Sequence, residues 1–187
     1  MEYEIHITID TKDINKFVDD CKKLKLNPIV IQTQNQNKFE HQVMTSSKYS
    51  GDSYNSTLFE VINKISFCGY NVRRSKVEIK PELTKNQNFI YYETHFRLKL
   101  PLDFNYTDLL EYCDNNNFHL SKNLFKVDKD FKYQMCTYRT RSDINLFKLV
   151  IDKFKSYLES EKIEFDKIEV EECIYDTNES VDNSWLN

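Results

Sequence analysis

The sequence predicts an α+β fold built from two copies of one unit of roughly 90 residues, each with the element order β-α-β-β-α-β. Three observations predict it. Short motifs recur in the same order along the chain, apolar residues alternate in the segments that read as strands, and apolar residues at helical spacing occupy the segments between them.

The recurrence of motifs indicates an internal duplication. Several repeated motifs are separated from their counterparts by nearly the same number of residues, so the two copies differ only by short loop insertions. The paired segments are 3–9 with 92–98, 17–21 with 109–113, 42–45 with 134–137, and 76–79 with 167–170.

The first unit opens with an alternating strand at 2–10, in which Ile5, Ile7 and Ile9 share one face. A helix at 12–24 follows, and its lysines near the end suit the helix dipole. The remaining elements are a strand at 29–31, a strand near 40–48, a second helix ended by Gly69, and a strand at 71–80.

The second unit repeats this order at 90–98, 105–115, 118–125, 132–140, 143–160 and 165–174. Right-handed crossovers then predict two tandem ferredoxin-like (βαββαβ) repeats, whose antiparallel sheets are related by a pseudo-twofold axis. The predicted boundaries are 1–80 for the first repeat, 81–89 for a linker, 90–174 for the second repeat and 175–187 for a C-terminal tail. The polar open faces of the two sheets should meet or form a groove.

Composition narrows the function classes. A net charge of −4 and a pI near 5.6 disfavour binding to duplex nucleic acid. The sequence contains no apolar run long enough to span a bilayer and no secretory signal, so we expect a soluble cytoplasmic protein with no membrane partner. Five widely spaced cysteines are expected to be reduced and structural. The absence of alanine and the abundance of Asn, Lys and Ile suggest an AT-rich genome, for example that of a virus.

The polar strand faces supply the candidate site. A Glu-x-His pair occurs on the first strand of each unit, and His6 and His95 are the candidate catalytic residues for phosphoryl chemistry. The candidate ligand-binding residues share the predicted faces: Glu4, Thr8, Gln42, Lys76, Glu78, Glu93, Arg97, Gln134, Lys167 and Glu169. The alternative is plain cross-strand Glu–Lys pairing. With four histidines in the whole chain, we predict no metal and no cofactor.

Hydroxyl-rich turns precede the second helix of each unit. Each turn carries candidate anion contacts at a helix N-terminus: Lys48 in the first unit, and Arg139 and Arg141 in the second. The alternative is that these turns only cap the helices. Arg73 and Arg74 are expected on a solvated edge, and Trp185 in the tail is expected to cover apolar surface.

Two resemblances bear on function. The Tyr-x-x-His start, the central Gln-x-Met-Thr-Ser, and the Tyr-Asp-Thr-Asn tail resemble a family of uncharacterised bacterial and viral proteins, which supplies no activity. The segment His6-Ile7-Thr8 is similar to the His-x-Thr/Ser motif of the 2H phosphoesterases, which are also pseudo-symmetric duplications. The corresponding His95-Phe96-Arg97 departs from that motif, because arginine replaces the hydroxyl residue.

The leading hypothesis is therefore binding of a small anionic ligand, a nucleotide or a phosphoester, in a polar groove between the repeats. The alternatives are 2H-like phosphoester hydrolysis and a protein-interaction module that uses exposed strand edges or the acidic tail. The sequence leaves open whether the protein is an enzyme, and it does not determine the oligomeric state.

Overall fold

The computed structural model of the protein describes residues 1–35, 38–81, 88–124 and 128–182. Within these residues, eight antiparallel strands form one closed barrel in the order β1-β3-β2-β6-β7-β5-β8-β4. The strands are β1 (Glu2–Asp10), β2 (Pro28–Asn35), β3 (Lys38–Ser50), β4 (Asn71–Ile79), β5 (Tyr91–Pro101), β6 (Phe118–Asn123), β7 (Phe131–Thr140) and β8 (Glu164–Asp176).

Helices connect the strands and lie on the outside of the barrel. They are α1 (Ile14–Leu24), α2 (Asn55–Phe67), α3 (Thr107–Asn115) and α4 (Ile144–Ser160), and a short 3-10 helix, Glu179–Asp182, follows β8. Asp13 caps α1 by accepting a hydrogen bond from the Lys16 backbone N–H, and Asp143 caps α4 by accepting one from the Asn145 N–H. Local sequence signals thus define where these helices begin.

The prediction of two tandem ferredoxin-like repeats with separate sheets is wrong. A single closed sheet takes their place, because β2 pairs with β6 and β4 pairs with β8. The physical reason is that separate sheets would leave rows of unpaired backbone groups at their edges, and closure pairs them. An interaction module built on exposed strand edges loses its premise, since every strand in the described part of the chain has a neighbour on both sides.

Two hydrophobic cores, counted over the described residues, fill the space between the barrel and the helices. In the first, Ile5, Ile7 and Ile9 pack against α1 and α2; in the second, Phe96 and Leu98 of β5 pack against α3 and α4. Residues of the opposite parity therefore point into the barrel. This alternation turns the polar half of each strand into an interior lining.

The predicted domain boundaries stay a prediction. Residues 82–87 of the predicted linker lie outside the described residues, and so does Trp185 with its expected covering role. No helix in the described ranges is long and apolar enough to cross a bilayer.

Candidate ligand-binding cavity inside the barrel

The barrel encloses a cavity of about 710 Å³. Its lining comes from alternate residues of the strands, so the polar faces that the sequence places on separate sheets surround one space. The lining includes Glu4, His6, Thr8, Gln42, Met44, Lys48, Arg74, Lys76, Glu93, His95, Met135, Thr137, Arg139, Lys167, Glu169 and Glu171.

Glu93 is fully buried and contacts three basic side chains in the cavity. The Arg139 guanidinium donates to both of its carboxylate oxygens, at 2.7 and 2.8 Å, and the Lys76 ammonium donates to it at 3.2 Å. The His95 Nε2 lies 2.9 Å from Glu93 Oε1. Burial opposes ionisation of Glu93, but Arg139 and Lys76 hold its pKa well below its ordinary value.

Glu78 extends this cluster toward His6. Its Oε1 lies 2.7 Å from the Lys76 Nζ, and its Oε2 lies 2.9 Å from the His6 Nε2. Burial alone would raise the pKa of Glu78, but the charge of Lys76 lowers it to about 2. Lys76 thus links two buried carboxylates, each of which also contacts a histidine.

One end of the cavity opens to solvent through a pair of lysines. The Lys48 Nζ lies 3.5 Å from Glu4 and 3.8 Å from Glu169, with 73% of its side chain exposed. The Lys167 Nζ lies 2.6 Å from Glu169 and is 47% exposed. Ser46 donates a hydrogen bond to Glu4. The Lys48 pairs are long, so this ammonium is held less tightly than the buried cations.

At the opposite end, the segment after β8 contacts residues that line the cavity. Arg74 donates through Nε to Asp176 at 2.9 Å, and the Tyr91 hydroxyl donates to the same carboxylate at 2.9 Å. Gln42 reaches the Val181 carbonyl at 3.3 Å, which anchors the 3-10 helix over this end. A neighbouring cavity of about 430 Å³ shares Thr8 and Gln42 with the larger one.

Two groups in the cavity have pKa values raised above neutral pH. Burial would lower the pKa of His95, but the Glu93 carboxylate raises it to about 9. Burial, reinforced by the charge of Glu78, raises the pKa of Glu171 to about 8. His95 is therefore mainly protonated at neutral pH and Glu171 is mainly uncharged. The two side chains are neighbours, with 3.6 Å between His95 Nε2 and Glu171 Oε2.

Most of the residues singled out from the sequence meet in this cavity. The lining contains both histidines, seven of the candidate ligand-binding residues and two of the candidate anion contacts: His6, His95, Glu4, Thr8, Gln42, Lys76, Glu93, Lys167, Glu169, Lys48 and Arg139. Glu78 lies just behind the lining, where it contacts His6 and Lys76. Arg139 does not stand at a helix N-terminus as predicted, because its guanidinium is committed to Glu93 inside the barrel.

Three predicted residues lie elsewhere. Arg97 donates to Asp166 at 2.6 and 2.8 Å and is not among the cavity-lining residues. Arg141 is exposed and donates to Glu179. Gln134 pairs in register with Leu98, a core residue, and so belongs to the helix-facing side of the sheet. The sequence puts Arg97 on the strand face of Glu93 and His95, and it puts Arg141 in the turn before a helix. Neither placement determines where a long side chain ends.

The sequence interpretation missed several lining residues. Arg74 was expected on a solvated edge, yet it is 4% exposed and faces the cavity. Its parity with Lys76 and Glu78 on β4 was the signal that could have placed it there. Thr137 was missed as well, and it lies 2.8 Å from the His95 Nδ1. Only the pairing of β5 with β7 brings these two together.

In the part of the chain that the structure describes, no three His, Cys, Asp or Glu side chains form a group suited to a metal ion. The ionisable side chains that line the cavity are lysines, arginines, glutamates and histidines. These could bind an oxyanion, exchange a proton with it, or pair only with one another.

Comparison with known proteins adds no identification, since no family model matches the chain and no curated protein matches it. Three solved structures are similar in outline. The small subunit of acetolactate synthase from Thermotoga maritima has 12% identity, covers 95% of this chain and 96% of its own, and gives a TM-score of 0.32. A heme-binding protein from Thermus thermophilus has 11% identity, covers 92% of this chain and 90% of its own, and gives a TM-score of 0.33. An unknown protein from Galdieria sulphuraria has 10% identity, covers 91% of this chain and 97% of its own, and gives a TM-score of 0.29. These TM-scores are too low for any of the three to bear on function.

Proposed function

We propose that the barrel cavity binds a small anionic ligand whose charged group is a phosphate, as in a phosphoester or a nucleotide. One observation carries the proposal. Among the described residues, six lysines and arginines line the cavity against four glutamates: Lys25, Lys48, Arg74, Lys76, Arg139 and Lys167 against Glu4, Glu93, Glu169 and Glu171. The chain as a whole has a net charge of −4, so this cationic excess is local.

The protonation states add to this excess. Glu171 is mainly uncharged and His95 mainly charged at neutral pH, because their pKa values are raised to about 8 and about 9. Glu78 and Asp176, behind the lining, neutralise Lys76 and Arg74. The remaining positive charge faces an enclosed space, where an anion interacts more strongly than it would in bulk water.

The lysines at the open end are the first groups that an entering anion would meet. Lys48 is drawn toward two carboxylates at 3.5 and 3.8 Å, and neither pair has the short distance of a tight ion pair. Turning its ammonium toward a phosphate would therefore cost little. Lys167, bound to the same Glu169, would complete a two-lysine clamp.

Titration calorimetry with ribose 5-phosphate tests the proposal. The double variant Lys48→Met/Lys167→Met should bind at least about tenfold more weakly, which corresponds to roughly 1.4 kcal/mol. A suitable control is Lys22→Met on α1, which removes a lysine of similar exposure outside the barrel. If wild-type protein binds no member of a panel of phosphate esters and nucleotides, or if the double variant binds as tightly as the control, the proposal is wrong.

A second candidate is hydrolysis of a cyclic or 2′,3′-linked phosphoester. It is supported by the position of His6 and His95 in the lining of the same cavity. His95, held protonated by Glu93, has the state required of a general acid. Turnover of a 2′,3′-cyclic nucleotide should disappear in His6→Ala, and retained turnover in that variant would exclude this activity.

A further inference from the structure

The cavity has two chemically different walls. The strands β1, β4, β5 and β8, together with Arg139 of β7 and Lys48 of β3, contribute the charged wall described above. On the other side, β2, β3 and β7 contribute an apolar wall made of Ile29, Ile31, Met44 and Met135. A site for a purely ionic ligand would gain nothing from such a surface.

The apolar wall is separate from the hydrophobic cores. Val30 and Val43 belong to the first core, so the alternation along β2 and β3 turns Ile29, Ile31 and Met44 inward. Ile29 and Met44 are paired in register across the two strands, and together they form a continuous patch. None of the four wall residues takes part in either core as defined over the described residues.

We infer that the ligand carries a flat, largely apolar ring next to its phosphate, and that this ring lies on the wall formed by Ile29, Ile31, Met44 and Met135. This inference rests on the proposed function. Contact between the ring and this wall removes apolar surface of both partners from water, which favours binding. Methionine sulfur also makes favourable contacts with aromatic rings.

Polar groups border this wall. Asn27, Ser121 and Asn123 line the cavity beside the isoleucines and methionines. Amide and hydroxyl side chains offer both donors and acceptors, which suit the edge of a heterocyclic base. A nucleoside phosphate fits this combination of an apolar wall, a polar border and a cationic opposite wall.

Matched ligands test the inference by titration calorimetry. AMP differs from ribose 5-phosphate in its base, and we expect AMP to bind at least about tenfold more tightly. In Met44→Thr/Met135→Thr that ratio should fall toward one, while the affinity for ribose 5-phosphate stays within about twofold of wild type. The control is Leu146→Thr/Leu149→Thr, which changes two exposed apolar residues on α4 outside the barrel. Ile31→Thr provides a single-site variant in case the methionine double variant does not fold.

The outcomes separate this inference from the proposal beneath it. If ribose 5-phosphate binds and AMP binds no better, the ring inference is wrong and the anion site stands. If neither binds, the proposed function itself fails. A ratio that survives in the threonine variants also overturns the inference. A third titration uses 1-naphthyl phosphate. If it binds as tightly as AMP, the site accepts any flat ring. If it binds weakly, the site is specific for a base.

Discussion

The Arg139 guanidinium donates two parallel hydrogen bonds to the Glu93 carboxylate, from Nε to Oε2 at 2.7 Å and from Nη2 to Oε1 at 2.8 Å. Both residues lie within the barrel, and Glu93 has no solvent exposure. Arg139 is on β7 and Glu93 is opposite it on β5, so the pair follows directly from strand register. Lys48 and Glu4 are also opposite each other, on β3 and β1, but there the lysine is exposed.

Removing the Glu93 carboxylate should destabilise the protein strongly. Glu93→Ala leaves the buried cations Arg139 and Lys76 and the partly buried His95 without their shared partner, and breaking a buried ion pair costs about 3 to 5 kcal/mol. Guanidinium chloride denaturation would measure the loss in free energy of unfolding.

The matched control for this change is Glu60→Ala on α2. Glu60 pairs with Lys64, but both side chains are well exposed, so the cost should stay within about 1 kcal/mol. Equal effects of the two substitutions would show that the Glu93 cluster does not contribute to stability as its burial implies.

Alternation along single strands was enough to predict which side chains share a face. The period-two pattern in β1 and β5 placed Glu4 with His6 and Glu93 with His95, and both pairs line the cavity. Closure of the barrel was not predictable in the same way. It depends on contacts between β2 and β6 and between β4 and β8, and a pattern within one strand carries no information about its neighbour.

The misplacement of Gln134 shows the same limit at one residue. Matching Gln134 to Gln42 by sequence put it on the polar face, but in the ladder Met44 is opposite Thr8 and Met135 is opposite Arg97. A slip of one residue moves a side chain to the other face of a strand. The sequence match was shifted by one residue from the register of the strands. For that reason Met135, a residue of the apolar wall, was missed.

Stability should fall at alkaline pH because of His95. Its pKa is raised to about 9 in the folded state, against 6.5 as its ordinary value, so the folded protein binds more protons between these values. The stabilisation is fully present below pH 6.5 and is lost as the pH rises through about 9. It amounts to something on the order of 3 kcal/mol.

Urea denaturation at a series of pH values from 6 to 10 would measure this loss. The groups facing His95 include Glu93, Glu171, Lys76, Thr137 and, opposite it on β8, Glu169. The variant His95→Gln should be less stable than wild type at pH 6 and should show a smaller decline toward pH 9. A wild-type decline that persists unchanged in His95→Gln would mean that another group titrates.

Glu171 should contribute a separate pH dependence of the same sign. Its folded pKa is raised to about 8 from 4.5, so the folded state keeps a proton that the unfolded state releases. Stability should therefore decline as the pH rises from about 4.5 to 8. Glu171→Gln keeps the shape of the side chain and carries no charge. In this variant the free energy of unfolding should vary less between pH 4.5 and 8, and at pH 8 it should be higher than in the wild type by about 2 kcal/mol or more. Identical pH profiles for this variant and wild type would contradict the raised pKa.

Thiol reactivity offers the last test, since the described residues include all five cysteines of the chain and no disulfide joins them. Four of the cysteines are buried, and Cys68 at the end of α2 is the one with partial exposure. Burial raises the pKa of Cys21 and of Cys173 to about 12, which leaves almost no thiolate at pH 8. A native sample treated with an aromatic disulfide reagent should release about one equivalent of thiolate quickly, and the same sample in urea should release all five. Cys68→Ser should abolish the fast phase, and two or more fast equivalents in the wild type would mean that the barrel opens on the timescale of the reaction.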